Sequence, residues 1–153
     1  MRKQLPTFCF YVISSIFLIS SYHAFSQQNL NSNKRAAAGY DPVEYFNHAP
    51  TLGNIDFQVE YQNAIYLFKN EANKTLFEAN PSYFAPQYGG WCAYAMGFNG
   101  EKVEVNPKSY SIEDKKLYLF YKTTFTDTKK KWVKNNTPLK TKANHNWNQW
   151  MNK

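Results

Sequence analysis

The residues best suited to chemistry gather around one thiol. Cys92 sits in the block Gln87-Tyr88-Gly89-Gly90-Trp91-Cys92-Ala93-Tyr94-Ala95-Met96, and the only other cysteine, Cys9, lies near the start of the chain. A thiol becomes a nucleophile or a metal ligand when it is exposed and positive neighbours or a helix start lower its pKa. The apolar neighbours Trp91, Ala93 and Tyr94 favour the opposite, a buried and inert sulfur. Met96 follows four residues later, so on a helix both sulfurs would share one face. Soft sulfur ligands suit copper(I), and Cys92, Met96 and His48 together form a candidate copper or zinc site, with His145 and Glu44 as further ligands. A Cys/His pair would instead make a thiol-dependent enzyme, with His48 or His145 as base and Asp41, Glu44 or Asn144 behind it. Plainer readings stand beside both. Methionine is common core filler, while His48 beside Pro50 and His145 on a late helix suit exposed positions.

A third reading is a binding surface. Tyr83, Phe84, Tyr88, Trp91 and Tyr94 crowd around Gly89-Gly90, a pair that permits backbone angles closed to other residues. Rings with polar tips can line a cleft for a small ligand or a peptide. The predicted ligand-binding set is Tyr88, Gly89, Gly90, Trp91, Cys92 and Tyr94, with Tyr45 and Phe46 from an earlier helix. The plainer counterpart is a core built from large rings.

These residues need elements to hold them. Asp41-Pro42-Val43-Glu44 reads as a helix start, with Asp41 as cap, Pro42 in the first turn and Glu44 reaching back. Tyr45 and Phe46 would be its apolar face, ending at Asn47-His48-Ala49-Pro50. Ile55, Phe57, Val59 and Tyr61 alternate with Asp56, Gln58 and Glu60 as a half-buried strand does. Gln62-Asn63-Ala64 then turns the chain into Ile65-Tyr66-Leu67-Phe68, giving a hairpin. Asn70 caps a helix over Glu71–Ala79, with Ala72, Leu76, Phe77 and Ala79 inward, and Asn80-Pro81 stops it. Lys102 to Val105 reads as a short extended piece. Tyr110 to Tyr121 reads as a second hairpin turning at Glu113-Asp114-Lys115-Lys116. Thr126 or Asp127 caps a helix to about Lys134, and Pro138 to Trp150 holds one more. No internal repeat stands out. The class is α+β: one small domain with two β-hairpins and several short helices.

The first residues read as an export signal. Met1-Arg2-Lys3 is the positive end, Phe8 to Ser20 the apolar run, and Ala24-Phe25-Ser26 the small residues before a cut expected after Ser26. Gln27 to Ala38, polar and rich in amides, is a flexible lead-in. Residues 39–150 form the domain and its C-terminal helical extension. A periplasmic or extracellular place follows, where a single remaining cysteine makes no internal disulfide. Stability then rests on packing, and 18% aromatic residues supply the area. Charge is uneven. Asp41 to Asp114 holds ten acids and four lysines, a net of −6, and Lys115 to Lys153 holds ten lysines and one acid, a net of +9. The basic stretch suits an anionic surface, or it complements the acidic half of its own domain. No nucleic-acid motif accompanies it.

Several of these blocks together are similar to one family. Asp41-Pro42-Val43, the hairpin ending Tyr66-Leu67-Phe68, the helix through Phe77-Glu78-Ala79-Asn80-Pro81 and the aromatic Tyr83 resemble the YHS domain. The chain most resembles a group of exported bacterial YHS-domain proteins. Their Gly-Tyr-Asp-Pro-Val-x-Tyr-Phe opening is matched by Gly39 to Phe46, and their Ala-Pro-Gln-Tyr-Gly-Gly-aromatic-Cys-Ala block by Ala85 to Ala93. A late ending appears here as Ala-Asn-x-x-Trp, Ala143 to Trp147, longer than the Ala-Asn-Trp form of the group. Many YHS domains bind metals through three cysteines. The matching positions here are Glu44, Lys69 and Asn73, so the resemblance implies a fold but not that metal site. It carries no activity with it. The expectation is an exported, non-catalytic YHS-like binding module for a small ligand or a protein.

Overall fold

The computed structural model describes residues 27–153, and the expected export leader lies outside them. The α+β expectation holds. Strands β1 (Asn54–Tyr61) and β2 (Ala64–Phe68) form one antiparallel hairpin, and β3 (Asn106–Glu113) and β4 (Lys116–Phe120) form another. Helices α1 (Glu71–Ala79) and α2 (Pro81–Phe84) follow the first hairpin, and α3 (Ala93–Phe98) precedes the second. Helices α4 (Thr128–Lys134) and α5 (Asn136–Met151) close the chain. Asn70 caps α1 by accepting from the Asn73 N–H, and Asp127 caps α4 by accepting from the Lys129 N–H.

The two hairpins are one design built twice. Each turns on two residues of positive φ, Gln62-Asn63 (51° and 60°) and Asp114-Lys115 (50° and 59°), the twist that suits a tight hairpin. Each first strand starts with an asparagine paired to a phenylalanine, Asn54 to Phe68 and Asn106 to Phe120, and then bulges before regular pairing resumes. The Asn54 and Asn106 side chains accept from the N–H two residues on, at 3.1 and 3.0 Å. Upstream, Ala37-Ala38-Gly39 and Tyr88-Gly89-Gly90 both run at positive φ. A buried acceptor follows two residues after each glycine. The Asp41 N–H donates to the Thr51 carbonyl at 2.9 Å, and the Cys92 N–H to the Val103 carbonyl at 3.0 Å. Asp41 Oδ2 accepts from the Lys69 N–H at 2.8 Å, just past β2, and Cys92 Sγ accepts from the Tyr121 N–H at 3.3 Å, just past β4. Matching residues lie 51 or 52 positions apart, Gly39 with Gly90 and Tyr66 with Tyr118 among them. The internal repeat missed in the sequence is therefore present as a hydrogen-bonded frame.

Each unit has its own core. Val43, Ala64, Tyr66, Phe68 and Phe77 pack in the first. Met96, Tyr118, Phe120, Trp132, Leu139 and Ala143 pack in the second, which recruits α5. A third cluster joins the units: Ala37 and Tyr45 meet Leu117 and Leu119, on the other face of β4. There the Tyr45 hydroxyl donates to the Pro107 carbonyl at 2.9 Å. Helix α3 lies so close to α5 that a Cβ on Gly97 would fall 2.4 Å from the Leu139 carbonyl oxygen, which is why no larger residue fits there.

Three local expectations change. Pro42 to His48 is a run of turns rather than a helix. Asp41 does accept from the Val43 N–H (2.8 Å), but Phe46 and His48 then donate three residues back, to Val43 and Tyr45. Branched and aromatic residues there favour helix weakly, and burying Val43 and Tyr45 in different clusters keeps the bend. In α1 the inward residues are Asn73 and Phe77, while Leu76 is 51% exposed. Segment 27–38, expected to be flexible, is docked. Ala36 and Ala37 are buried, Ala36 and Lys34 bond Ile65 of β2, and the Asn29 N–H donates to the Gly89 carbonyl at 2.7 Å. Its small alanines fill a space that its polar average concealed.

Asp41 ties its loop to β2 and α1 through Val43, Lys69 and Asn73. Asp41→Ala leaves two backbone N–H groups and an amide without their acceptor, so chemical denaturation should show a loss of about 3 kcal/mol. Asp41→Asn, which keeps one carbonyl acceptor, should lose less. An alanine variant within about 0.5 kcal/mol of the parent would contradict this account.

Candidate functional site

Cys92 is fully buried. Its sulfur lies 3.5 Å from Thr128 Oγ1. The Thr128 hydroxyl donates its one proton to the Tyr121 carbonyl at 2.7 Å, so the thiol must be the donor to Thr128. Cys92 therefore donates to Thr128 and accepts from the Tyr121 N–H, a closed set that matches Asp41 with Asn73 and the Lys69 N–H. Met96 is also fully buried, among Tyr118, Phe120 and Trp132. His48 is exposed at φ 57°, at the end of the turn in the first unit, and is not among the groups around the thiol. His145 is exposed on α5 with Gln149 as partner at 3.0 Å. The thiol, the thioether and the imidazoles thus occupy different environments. Among the described residues no three His, Cys, Asp or Glu side chains gather as a metal-binding group.

The three positions that the resemblance assigns to metal cysteines do come together. Asn73 Nδ2 donates to Glu44 Oε1 at 2.9 Å and to Asp41 Oδ2 at 2.7 Å, and Lys69 Nζ lies 3.3 Å from Glu44 Oε2. The Asn73 hydrogen bond holds the Glu44 carboxyl below its ordinary value, against the cost of burial, with Lys69 and Asn47 helping. This donor set does not fit a metal. An ammonium already neutralises the one carboxylate facing it, and the amide donates its hydrogens rather than lone pairs.

The site that is open lies elsewhere, at the seam between the units. A cleft of about 1210 Å3 is walled on one side by Tyr61, Gln62 and Asn63 at the first hairpin turn, with Gln27 and Gln28 of the lead-in. Gln87, Tyr88 and Gly89 line it from the link between units, and Lys116 from the second hairpin. Asn144, Trp147, Asn148, Met151 and Lys153 form the wall on α5. Polar order is built in. Tyr66 Oη donates to Gln28 Oε1 (3.2 Å), Gln28 Nε2 to Gln62 Oε1 (3.0 Å), and Gln62 Nε2 to Tyr61 Oη (3.2 Å). Opposite, Tyr88 Oη donates to Asn144 Oδ1 at 3.0 Å, and burial pushes the Tyr88 phenol well above its usual pKa. Gly89 has φ 60°, and a Cβ there would stand 2.8 Å from Trp147 Cη2. This glycine is needed both for its angle and for the approach of the indole.

Only part of the expected aromatic site belongs here. Tyr88 and Gly89 line the cleft. Gly90 is buried, and its carbonyl accepts from Asn29 Nδ2 at 3.3 Å. Trp91 Nε1 donates to the Gln27 carbonyl at 2.8 Å, with the Lys102 ammonium between the rings of Trp91 and Trp150. Tyr94 stacks on Phe98 at 5.5 Å. Tyr45 is fully buried in the seam, and Phe46 stacks on Tyr83 at 5.0 Å; neither lines the cleft. The residues missed were Tyr61, Gln62, Asn144, Trp147 and their amide neighbours. Trp147 had a signal, because it ends the Ala-Asn-x-x-Trp block. Asn144 shared it, as the second residue of that block, while Gln62 and the other amides had none, since isolated Asn and Gln look like any surface.

The lysine-rich end is partly paired within the domain. Lys140 lies 2.9 Å from Asp114 and 3.5 Å from Glu113, and Lys122 lies 3.7 Å from Asp127. Lys129 and Lys131 sit over the rings of Tyr110 and Tyr94. No helix among the described residues is long and apolar enough to cross a membrane. Searches against protein-family models, curated proteins and solved structures give no match to this chain.

Two measurements check this geometry. Iodoacetamide followed by peptide mapping should modify Cys92 only once denaturant opens the fold; native labelling at the rate of a free thiol would show that the sulfur is accessible. Glu44 has a folded pKa below its unfolded value near 4.5, so its contribution is complete above that pH and fades as pH falls through the folded pKa. Below pH 4.5 the parent should therefore lose stability more steeply than Glu44→Gln, as read by denaturation midpoints across an acid series.

Proposed function

We propose that this chain is an exported, non-catalytic binding module of the YHS-like group, with its ligand seat in the seam cleft rather than at Cys92. One observation carries the reading. Two of the blocks on which the resemblance rests, Tyr88-Gly89 and Asn144 with Trp147, are far apart in the chain yet meet side by side at the same cleft. The Tyr88 hydroxyl is bonded to Asn144, and the Trp147 indole closes on Gly89 beside the same opening. The meeting of Glu44, Lys69 and Asn73 supports the family reading, because the resemblance assigns those three positions to one metal site. Their side chains here support a structural network in place of a metal.

Copper or zinc on Cys92 and Met96 would require the thiol to give up Thr128 and Tyr121, and Met96 to leave its aromatic packing. A thiol enzyme would need the same opening and a base brought to the sulfur.

The test is an NMR screen of the full chain against small sugars, carboxylic acids and short peptides. Shifts should centre on the Trp147 indole N–H and the side-chain amides of Asn144 and Gln62. Shifts centred on Glu44 and His48, or turnover of any probe, would overturn the reading.

A further inference from the structure

We propose that the occupant of the seam cleft is an acidic oligosaccharide, a chain of sugar units bearing carboxylates; this rests on the binding reading above. The chemistry of the lining suits a sugar. Carboxamides dominate it, through Gln62, Asn63, Gln87, Asn144 and Asn148, and one indole, Trp147, lies among them. A carboxamide offers a donor and an acceptor side by side, which matches neighbouring hydroxyls on a sugar ring. An aromatic ring adds a flat apolar surface for the C–H face of the same ring. A peptide would ask for something else, either a free strand edge or a series of apolar pockets. The turns and the α5 face that wall this cleft supply neither.

Hydrogen bonds hold these groups in place. In the chain from Tyr66 through Gln28 and Gln62 to Tyr61, each donor fixes the next side chain. On the facing wall the Tyr88 hydroxyl fixes the Asn144 oxygen. A carboxamide bonded once at its oxygen or its nitrogen keeps a further lone pair and a further hydrogen, so Gln62 and Asn144 present fixed donors and acceptors to sugar hydroxyls.

Charge narrows the class. Lys116 lines the cleft and no Asp or Glu side chain does, although the chain as a whole has eleven acids. Lys153 also lies at the cleft, with its ammonium 4.2 Å from the centre of the Trp150 ring. A neutral sugar would use the amides and the indole but leave the Lys116 ammonium unanswered. Carboxylates along the sugar chain use all three features.

Affinity electrophoresis of the full chain in gels containing polygalacturonate, neutral galactan or polyglutamate tests the proposal. Polygalacturonate should retard the protein most, galactan less, and polyglutamate little. Asn144→Asp keeps the acceptor for Tyr88 but replaces the offered donor with a negative charge. It should lower the affinity for tetragalacturonate at least tenfold with unchanged thermal stability. Trp147→Ala should lower affinity as much, and any loss of fold would show as a lower melting temperature that Asn144→Asp does not share. Equal retardation by polyglutamate would overturn the proposal, since charge alone would then account for binding. Shifts at Trp147 with peptides but with neither saccharide would overturn the saccharide class and leave the cleft as a binding site. No shift at the cleft with any probe would overturn both.

Discussion

The fold depends on a buried acceptor that ties a loop to the end of a strand, once in each half. Asp41 holds the backbone just past β2, and Cys92 holds it just past β4. Without that tie, the turn of positive φ before each acceptor has nothing to fix it against its hairpin, and the N–H beyond the second strand loses its partner. A buried donor without an acceptor costs more than most single contacts return. The constraint asks for an acceptor of the right size and reach, not for one residue type. A carboxylate meets it with help from Asn73 and the backbone, and a thiol meets it with help from Thr128.

This explains Cys92 without invoking reactivity. A lone thiol beside a tryptophan, two tyrosines and a methionine in sequence invites a metal or a catalytic reading. In the fold its proton and its lone pair are both committed to neighbours, and it stands where the other half keeps a carboxylate. The unit around it also differs in kind. Ala93 to Phe98 becomes a helix because small residues let it pack on α5, whereas the corresponding Pro42 to His48 remains a run of turns.

Duplication of a frame also creates a seam, and the seam is where the molecule is open. The cores of the two units close on themselves, and their junction is sealed along the Leu117 and Leu119 face by Tyr45. On the other side the hairpin turns, the link between units and α5 meet without filling the space between them. Turns and a helix face carry polar side chains, so this space is lined by amides, phenols and lysines rather than by aliphatic groups. The acidic first half and the basic second half partly neutralise each other, as Lys140 does with Glu113 and Asp114, yet Lys116 stays with the cleft.

Local patterns in the sequence determined the α+β class, both hairpins, the Asn70 and Asp127 caps and the last helix, because alternation, tight turns and capping act over a few residues. The same local logic misled at Asp41, whose side chain does bond the Val43 N–H as a cap would. What that side chain does beyond this, reaching Lys69 and Asn73, is set by packing across some thirty positions. The repeat left only faint traces, Tyr-Leu-Phe at 66–68 and again at 118–120, since a frame of backbone bonds and φ angles tolerates almost any side chain. Tertiary structure alone decided that Cys92 is a tie, that Tyr45 is core and that Tyr61, Gln62, Asn144 and Trp147 face one cleft. Carboxamides have no periodicity that marks them. Only the fold brings positions 27, 62 and 144 to the same opening and fixes each in place by its hydrogen bonds.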